Sequence, residues 1–193
     1  MSDVSPEVLL IAGSVRFPSH TRALVTAIAD RLTVEGATPR IWDLGARPLP
    51  IADPKYHRNP EDHPSTEVRA LVSAAEVADA LVLATPVYHN GPAGVLKNAL
   101  DHLLIRHFML KPVGLVSHGG GRTTQAVEQL RIITRGLHGY AIVTQICTND
   151  HDYETENDKF KLKSKMTVRR VNRFSRELTF MAKVLPYARR ALI

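Results

Sequence analysis

Cysteine is almost absent from this chain of 193 residues, whose only thiol is that of Cys147. A single thiol excludes a disulfide within the chain and a metal cage built from cysteines, so we expect Cys147 to hold a structural position at a strand end. Apolar runs of membrane-spanning length are also missing. The first seven residues carry neither the basic cap nor the apolar stretch of a signal peptide, and we therefore expect a cytoplasmic protein.

Several catalytic signatures are missing as well. No Gly-x-Ser-x-Gly nucleophile elbow accompanies the His-Gly-Gly-Gly sequence at 118–121, which argues against a hydrolase. There is no Walker A sequence, and no Gly-x-Gly-x-x-Gly follows the first predicted strand, so Asp43 is interpreted as a turn or cap residue rather than a ribose-binding carboxylate. The nine histidines show no metal-ligand spacing, and we predict no metal site.

Short apolar runs alternate with helical patterns, in a composition that is 44% hydrophobic and 23% charged. This alternation is typical of an α/β fold with a parallel sheet, and the length predicts a single domain over residues 1–193. Strands are predicted near residues 7–12, 38–43, 79–85, 112–117 and 140–147. The apolar faces of the four intervening helices are predicted at Leu24, Ile28 and Leu32; Val68, Leu71 and Val72; Val95, Leu96, Ala99, Leu100 and Leu103; and Val127, Leu130 and Ile133.

The most informative stretch joins the first apolar strand to a loop rich in hydrogen-bond donors. The side chains that can donate to phosphate oxygens are Ser14, Arg16, Ser19 and Thr21. A helix predicted to begin near His20 would turn its unpaired N–H groups toward the same place. The loop is consistent with a phosphate site, and an ordinary strand-to-helix turn with a serine cap is the alternative.

Two further segments make the pattern recognisable. The third predicted strand leads into Pro86-Val87-Tyr88-His89, followed by Pro-Ala-Gly-Val-Leu-Lys-Asn-Ala-Leu-Asp at 92–101. With the first loop, Gly-Ser-x-Arg-x-x-Ser-x-Thr, these residues resemble the NADPH-dependent FMN reductase family of flavodoxin-like proteins over about residues 7–150. A third segment, Ser-His-Gly-Gly-Gly-Arg at 117–122, lies where that family carries its third flavin loop.

The resemblance implies a doubly wound, five-stranded parallel sheet of order 2-1-3-4-5 with helices on both faces, and an FMN site beyond the carboxyl ends of its strands. The expected cofactor-binding residues are Ser14, Arg16, Ser19, His20, Thr21, Pro86, Val87, Tyr88, His89, Ser117, Gly119, Gly120, Gly121 and Arg122. No residue is expected to be catalytic, because the flavin itself takes the hydride from NADPH or NADH. The segment from about 45 to 65 is predicted to be a loop or lid beside this site.

Two residues depart from the pattern of many family members, since Val87 and His89 stand where Glu and Asn are common. A Pro-Val-Tyr loop also resembles the branch that supplies reduced flavin to partner monooxygenases. His89 therefore either contacts flavin or substrate, or is a polar loop residue at the mouth of the site. Lys97 and Asn98 match the family and are expected to serve helix and interface packing.

These features predict an NAD(P)H-dependent FMN oxidoreductase that passes electrons to free flavin, a monooxygenase partner or a small organic acceptor. The alternatives are a quinone, azo or nitro-compound reductase, a biosynthetic flavoenzyme, and a flavodoxin-type electron carrier, although such carriers are typically acidic. The resemblance also implies a homodimer or homotetramer. Apolar residues after the third helix would contribute to its interface, with Arg106 or the basic tail over a neighbour's flavin pocket; these are Leu103, Leu104, Ile105, Phe108, Met109 and Leu110.

The net charge of +6 belongs to the C-terminal segment. Residues 159–193 hold eleven Lys and Arg against one acidic residue, Glu177. Apolar residues recur there at helical spacing, which predicts a basic amphipathic helix over about 164–185, ending before Pro186 and packed on the sheet or on another subunit. A solvated helix face is the first interpretation of the charge, and attraction of the NADPH phosphates is the second. No aromatic or groove-reading element accompanies it, so no nucleic-acid partner is expected.

Overall fold

Parallel strands form the centre of the molecule in the computed structural model, which describes residues 5–192, with side chains through residue 186. Residues 1–4 and 193, which the single-domain prediction includes, lie outside the described residues. The strands are β1 (Glu7–Ala12), β2 (Thr38–Asp43), β3 (Ala80–Tyr88), β4 (Gly91–Pro92), β5 (Pro112–His118), β6 (Tyr140–Ala141), β7 (Ile146–Thr148), β8 (Tyr153–Glu156) and β9 (Lys159–Leu162). The α-helices are α1 (His20–Val34), α2 (Thr66–Val77), α3 (Gly94–Asp101), α4 (Ile105–Phe108), α5 (Gln125–Gly136) and α6 (Lys165–Leu192).

The main sheet runs in the order β2-β1-β3-β5-β6, with β4 paired to β3 and β7 paired to β5. Its long strands are parallel and nearly continuous in apolar residues, because helices cover both faces. Helices α2, α3 and α5 pack on one face and α1 and α6 on the other. The predicted α/β fold, strand order and two-sided helix packing are confirmed.

The predicted helix faces match the buried residues closely. The predicted apolar residues of α1 and α2 are buried, as are Leu96, Ala99 and Leu100 of α3 and Val127 and Leu130 of α5, whereas Val95 is 37% exposed. No helix within residues 5–192 combines the length and the apolar character needed to cross a membrane.

The fifth predicted strand, over residues 140–147, is broken into β6 and β7. Between them the N–H groups of Val143 and Thr144 donate to the carboxylate of Glu177 in α6, at 2.8 and 3.2 Å respectively, instead of joining the ladder with β5. The apolar pattern could not reveal this interruption, because its cause is a side chain more than thirty residues away. Cys147 lies in β7, half-buried, and burial raises the pKa of its thiol. This placement agrees with the structural position that the sequence predicts.

The predicted end of the C-terminal helix before Pro186 is wrong, because α6 begins at Lys165 and continues through Pro186 to Leu192. A proline inside a helix removes one backbone hydrogen bond and crowds the preceding turn. Here Val171, Phe174 and Leu178 anchor the helix in the core beneath the sheet, and this packing stabilises the element as a whole. Of the two predicted positions for this helix, on the sheet or on another subunit, its apolar face takes the one on the sheet.

A hairpin that the sequence analysis missed, β8–β9, leads into α6. Its strands pair from Tyr153↔Leu162 to Glu156↔Lys159, and its two turn residues, Asn157 and Asp158, have φ angles of 49° and 58°. Asn and Asp tolerate this left-handed conformation, so the Asn-Asp pair between alternating residues was the available signal.

The predicted lid over about 45–65 contains two short 3₁₀ helices, Pro54–Tyr56 and Pro60–Asp62. The part of this segment at Pro50 and Ala52 is hydrogen-bonded to α3. The Asn98 side chain donates to the carbonyl of Pro50 and accepts from the N–H of Ala52. Asn98 thus has the packing role expected for it, and this contact holds the segment next to the helix that follows the second loop.

Candidate functional site

The three loops that the sequence singles out meet at the carboxyl edge of the sheet. Their strands β1, β3 and β5 are neighbours, with Ala12 opposite Ala84 and Pro86 opposite His118 in register. The Gly13 N–H donates to the Ala84 carbonyl at 2.8 Å, and a side chain at Gly13 would collide with Leu96. The first loop therefore begins in contact with β3 and α3, at the edge where a cofactor would lie in a fold of this kind.

The first loop presents a group of donors at the start of α1. Ser19 caps the helix by accepting the N–H of Arg22 at 3.2 Å, which leaves its hydroxyl proton available to a ligand. Within the part of the chain that the structure describes, the N–H groups of His20 and Thr21 have no acceptor. The side chains of Ser14 and Thr21 are buried close to them. Unpaired N–H groups and hydroxyls at a helix N-terminus are the donor set that a phosphate requires.

Arg16 is the exposed cation of this loop, and no carboxylate among the described residues pairs with it. Arg22, by contrast, is held by the carboxylate of Asp43, with one contact at 2.9 Å, and donates to the Arg16 carbonyl at 3.2 Å. Asp43 also accepts the N–H of Gly45 at 2.9 Å, so its predicted turn role is confirmed. Burial raises the pKa of Asp43, but the hydrogen bonds from the Arg22 guanidinium and the Gly45 N–H outweigh burial. The pKa is therefore below its usual value, and the carboxylate stays ionised.

The second loop is a tight hairpin that projects two side chains from the sheet edge. His89 and Asn90 both have positive φ angles, 49° and 63°, which make a two-residue turn between β3 and β4. Pro86 is buried, whereas Tyr88 is 53% exposed and His89 is exposed beside it. The turn therefore leaves an aromatic ring and an imidazole accessible at the edge.

The third loop packs its backbone against the second. A Cβ atom on Gly119 would lie 2.8 Å from the Cβ of Val87, whereas one on Gly120 would meet no atom within 4 Å. Glycine is thus required at 119 for the two loops to touch, and the backbone at 120 faces open space. Ser117 is buried at the end of β5. An open backbone surface beside the exposed Tyr88 suits the edge of a flat ring.

Arg122 in the third loop is paired with Asp152, which the sequence did not reveal as a partner. Its guanidinium donates to both carboxylate oxygens of Asp152, each at 2.9 Å, and Asp152 is 1% exposed. Asp152 also accepts from Thr167 Oγ1 at 2.7 Å and from the Asn149 N–H at 2.9 Å. Burial raises the pKa of Asp152, but these hydrogen bonds and the Arg122 charge outweigh it and lower the pKa overall. The ion pair therefore ties the third loop to the start of α6.

His20 and His118, which no sequence spacing connects, lie together in the structure. Their rings stack with centroids 4.2 Å apart, Phe160 covers the other face of His20 at 3.6 Å, and the exposed carboxylate of Asp150 lies 3.2 Å from His118 Nε2. These groups are distant in sequence, so spacing could not reveal them. His20 Nδ1 lies 3.8 Å from the same Asp150 oxygen, so a nitrogen of each ring and this carboxylate face one another.

Two buried histidines make the stability of the protein depend on pH. Burial lowers the pKa of His118 to about 4, and burial also lowers the pKa of His107 to about 4. Because the unfolded chain titrates near 6.5, it binds more protons than the folded chain between these values. The stabilisation from a neutral histidine is therefore complete above about pH 6.5 and is lost as the pH falls toward about 4.

We expect the free energy of unfolding to drop by about 2–3 kcal/mol per buried histidine over this range. Urea denaturation of the wild type and of a His118→Gln variant at about pH 7 and about pH 5 checks this. The wild type should lose more stability than the variant on acidification. Equal losses would mean that His118 does not stay neutral in the folded protein.

The assembled loops fit FMN in both of its parts. The phosphate needs concentrated donors, and the first loop offers free N–H groups, hydroxyls and the Arg16 guanidinium together. The ring needs an apolar wall with accessible backbone, and the contact between Val87 and Gly119 beside Tyr88 provides one. FMN has a phosphate at one end and a flat ring at the other. The first-loop donors suit the phosphate, and the open backbone surface near Tyr88 suits the ring.

Comparison with known proteins agrees with this geometry. The sequence model of NADPH-dependent FMN reductases matches residues 6–153 of the chain. The chain belongs to the NADPH-dependent FMN reductase family. An FMN-dependent NADPH-azoreductase of Staphylococcus haemolyticus (strain JCSC1435) is 35% identical over 175 residues, which are 86% of this chain and 93% of that protein.

Solved structures of two oxidoreductases have the same fold as this FMN reductase family member. FerB of Paracoccus denitrificans, a flavoenzyme NAD(P)H:(acceptor) oxidoreductase, has a TM-score of 0.74 at 16% identity and covers 93% of this chain and 98% of its own. An NADH:FMN oxidoreductase, EMOB in its apo form, has a TM-score of 0.69 at 20% identity and covers 89% of each chain. The flavodoxin-like fold is thus confirmed, and family membership makes the chain an NAD(P)H-dependent FMN oxidoreductase, with FMN and NAD(P)H as its cofactors.

Proposed function

We propose that the first loop holds the FMN phosphate and that the second and third loops hold its ring. Arg16, Ser14, Ser19 and Thr21 supply the side-chain donors for the phosphate, together with the free N–H groups at the start of α1. The observation that carries this proposal is that β1, β3 and β5 are neighbouring parallel strands, so that the donor loop and the Val87–Gly119 contact follow at one edge of the sheet. His20 contributes its N–H, since its ring is taken up by the stack with His118.

The protein groups position and shield the reactants. When bound, FMN supplies the hydride chemistry, accepting electrons from NAD(P)H and passing them to the acceptor. Tyr88 and the backbone at Gly120 fix the orientation of the ring, and the open side of the site admits the nicotinamide and the acceptor in turn. Arg122 is held by Asp152, and we propose that it positions the third loop; its expected contact with the cofactor stays a prediction.

We propose that the final acceptor is a small organic molecule, with azo compounds as the first candidates. The exposed Tyr88 and His89 leave room for an acceptor over the ring, and the relative that is 35% identical acts as an azoreductase. The second candidate is free FMN that leaves for a monooxygenase partner, which the Pro-Val-Tyr loop favours. The cytoplasm, where NADPH is available, is the proposed site of action.

Steady-state oxidation of NADPH separates the two acceptors. Purified protein with a measured content of bound flavin is assayed with an azo dye alone, with added FMN alone, and with both. Dye reduction at unchanged rate without free FMN supports direct transfer to the small acceptor. Dye reduction that requires added FMN in proportion to its concentration supports release of reduced flavin instead.

Replacing Tyr88 by Ala tests the ring contact. Because a stacked aromatic ring contributes about 0.5–1.5 kcal/mol beyond its buried area, we expect FMN and riboflavin affinity to fall by a similar factor of about 2–12. The flavin absorption band should shift, and Tyr88→Phe should retain both properties. An unchanged spectrum and unchanged affinities in the Ala variant would remove Tyr88 from the site.

We also propose a homodimer or homotetramer, with fewer interface residues than the sequence suggested. Leu103 and Phe108 are buried in the core of their own chain and are not available for a neighbour, whereas Arg106 is exposed and pairs with Glu61 at 2.7 Å. Ile105 remains 40% exposed beside the half-buried Met109. Light scattering over a dilution series should give at least twice the chain mass, and Ile105→Asp should lower it. A monomeric mass at full activity would exclude this assembly.

A further inference from the structure

A cavity that opens to solvent lies beside the three loops rather than between them. It has a volume of 780 Å³ and lies between α1, the β8–β9 hairpin and the start of α6. Ser19 is the one proposed flavin-binding residue in its lining, next to Phe17 and Pro18, and neither the second nor the third loop contributes. The cavity is therefore a separate space that touches only the back of the phosphate loop.

The walls of this cavity are mainly apolar and partly aromatic. Ala23 and Ala27 line the cavity from α1, Leu162 lines it from the hairpin, and Val171 lines it from α6. The Phe160 ring is already stacked on His20 through one face at 3.6 Å and also lines the cavity. The volume is in the range of pockets that take small organic molecules, and an aromatic wall favours a flat ring.

The charges around the cavity favour an anion. Its lining holds Arg22, Arg31, Lys159 and Lys161 against a single acidic residue, Asp30. Arg22, Arg31 and Lys161 already have carboxylate partners. Lys159 and Asp30 are the lining charges without a partner of opposite charge among residues 5–186, and Lys159 is the one next to Phe160 in β9. A negative group in the cavity would therefore meet an uncompensated cation next to Phe160.

We propose that this cavity binds a small planar aromatic molecule with an anionic group, its ring against Phe160 and its charge beside Lys159. The site is distinct from the flavin site, so such a ligand binds to the FMN-loaded protein without displacing FMN. Phe17, Pro18 and Ser19 belong both to the cavity wall and to the first loop, so the cavity borders the proposed phosphate site.

Calorimetric titration of the FMN-loaded protein with 1-naphthalenesulfonate tests this site, with the uncharged 1-naphthalenemethanol as the matched probe. The sulfonate should bind more tightly than the alcohol. Lys159→Glu should weaken the sulfonate by about fivefold or more, since an exposed ion pair contributes up to about 1 kcal/mol and its reversal adds repulsion. Lys165→Glu is the matched control, because it makes the same charge change on an exposed lysine of the same segment outside the cavity.

Filling the cavity provides a second, independent variant. Thr26 is exposed on α1 and lines the cavity, so Thr26→Trp places a large ring there without entering the core. This variant should abolish binding of both probes while keeping FMN and the thermal transition. The proposal is overturned if Lys159→Glu and Lys165→Glu weaken the sulfonate equally, if Thr26→Trp leaves binding unchanged, if the wild type binds neither probe, or if the probe releases FMN mole for mole.

Discussion

The Arg16→Ala variant is expected to bind FMN about 10 to 150 times more weakly than the wild type and to bind riboflavin equally well. Arg16 is the exposed cation of the first loop without a carboxylate partner among the described residues, and a charge-assisted hydrogen bond contributes about 1.5–3 kcal/mol. Riboflavin lacks the phosphate, so the loss should be confined to FMN. Fluorescence titration of the apoprotein with each flavin measures both constants.

Two controls make this result specific to phosphate. Ser14→Ala removes a neutral donor and should weaken FMN by about fivefold, which corresponds to about 1 kcal/mol. Arg58→Ala removes an exposed arginine from the segment between the two 3₁₀ helices and should change neither affinity. If Arg16→Ala weakens FMN and riboflavin equally, the first loop does not hold the phosphate.

Removing the Arg122 guanidinium is expected to have the largest effect on stability. Arg122→Met leaves the carboxylate of Asp152, which is 1% exposed, without its cation. Breaking a buried ion pair from one side costs about 3–5 kcal/mol, and the remaining hydrogen bonds from Thr167 and Asn149 reduce this to about 2–4 kcal/mol. Urea denaturation measures the loss.

The same variant should also loosen the third loop, so FMN and riboflavin should both bind more weakly, in contrast to Arg16→Ala. Adding Asp152→Asn to Arg122→Met should recover part of the stability, because it removes the uncompensated charge. Arg131→Met breaks the pair with the exposed Glu128 and a hydrogen bond to Gln145, and should cost about 1 kcal/mol or less. A loss no larger than that of Arg131→Met would contradict the buried role of Asp152.

The fold was predictable because its signals are local. Apolar runs and helical spacing mark β1, β3, β5 and the buried faces of α1 and α2, and each is decided within about a dozen residues. The break between β6 and β7 escaped prediction because it depends on the Glu177 carboxylate from α6. The end of α6 escaped it because tertiary packing outweighs the local preference against Pro186.

In the candidate site too, residues with local sequence signals were predictable and residues that depend on long-range contacts were not. Loop residues that directly follow the apolar strands, such as Arg16, Ser19 and Gly119, could be singled out from sequence and resemblance. Residues that act through partners distant in the chain could not. Asp152 supports the third loop only through Arg122, and the stack of His20 on His118 exists only because the ends of α1 and β5 meet.

Anaerobic stopped-flow mixing with NADPH tests the central claim most directly, on protein loaded with one equivalent of FMN. The account predicts that the oxidised flavin absorbance is lost in a single turnover, at a rate that rises with NADPH concentration and saturates. The Tyr88→Ala variant should react more slowly. Bound FMN that stays oxidised with both NADPH and NADH, yet is reduced by dithionite, would contradict a pyridine-nucleotide oxidoreductase and leave a flavin carrier in its place.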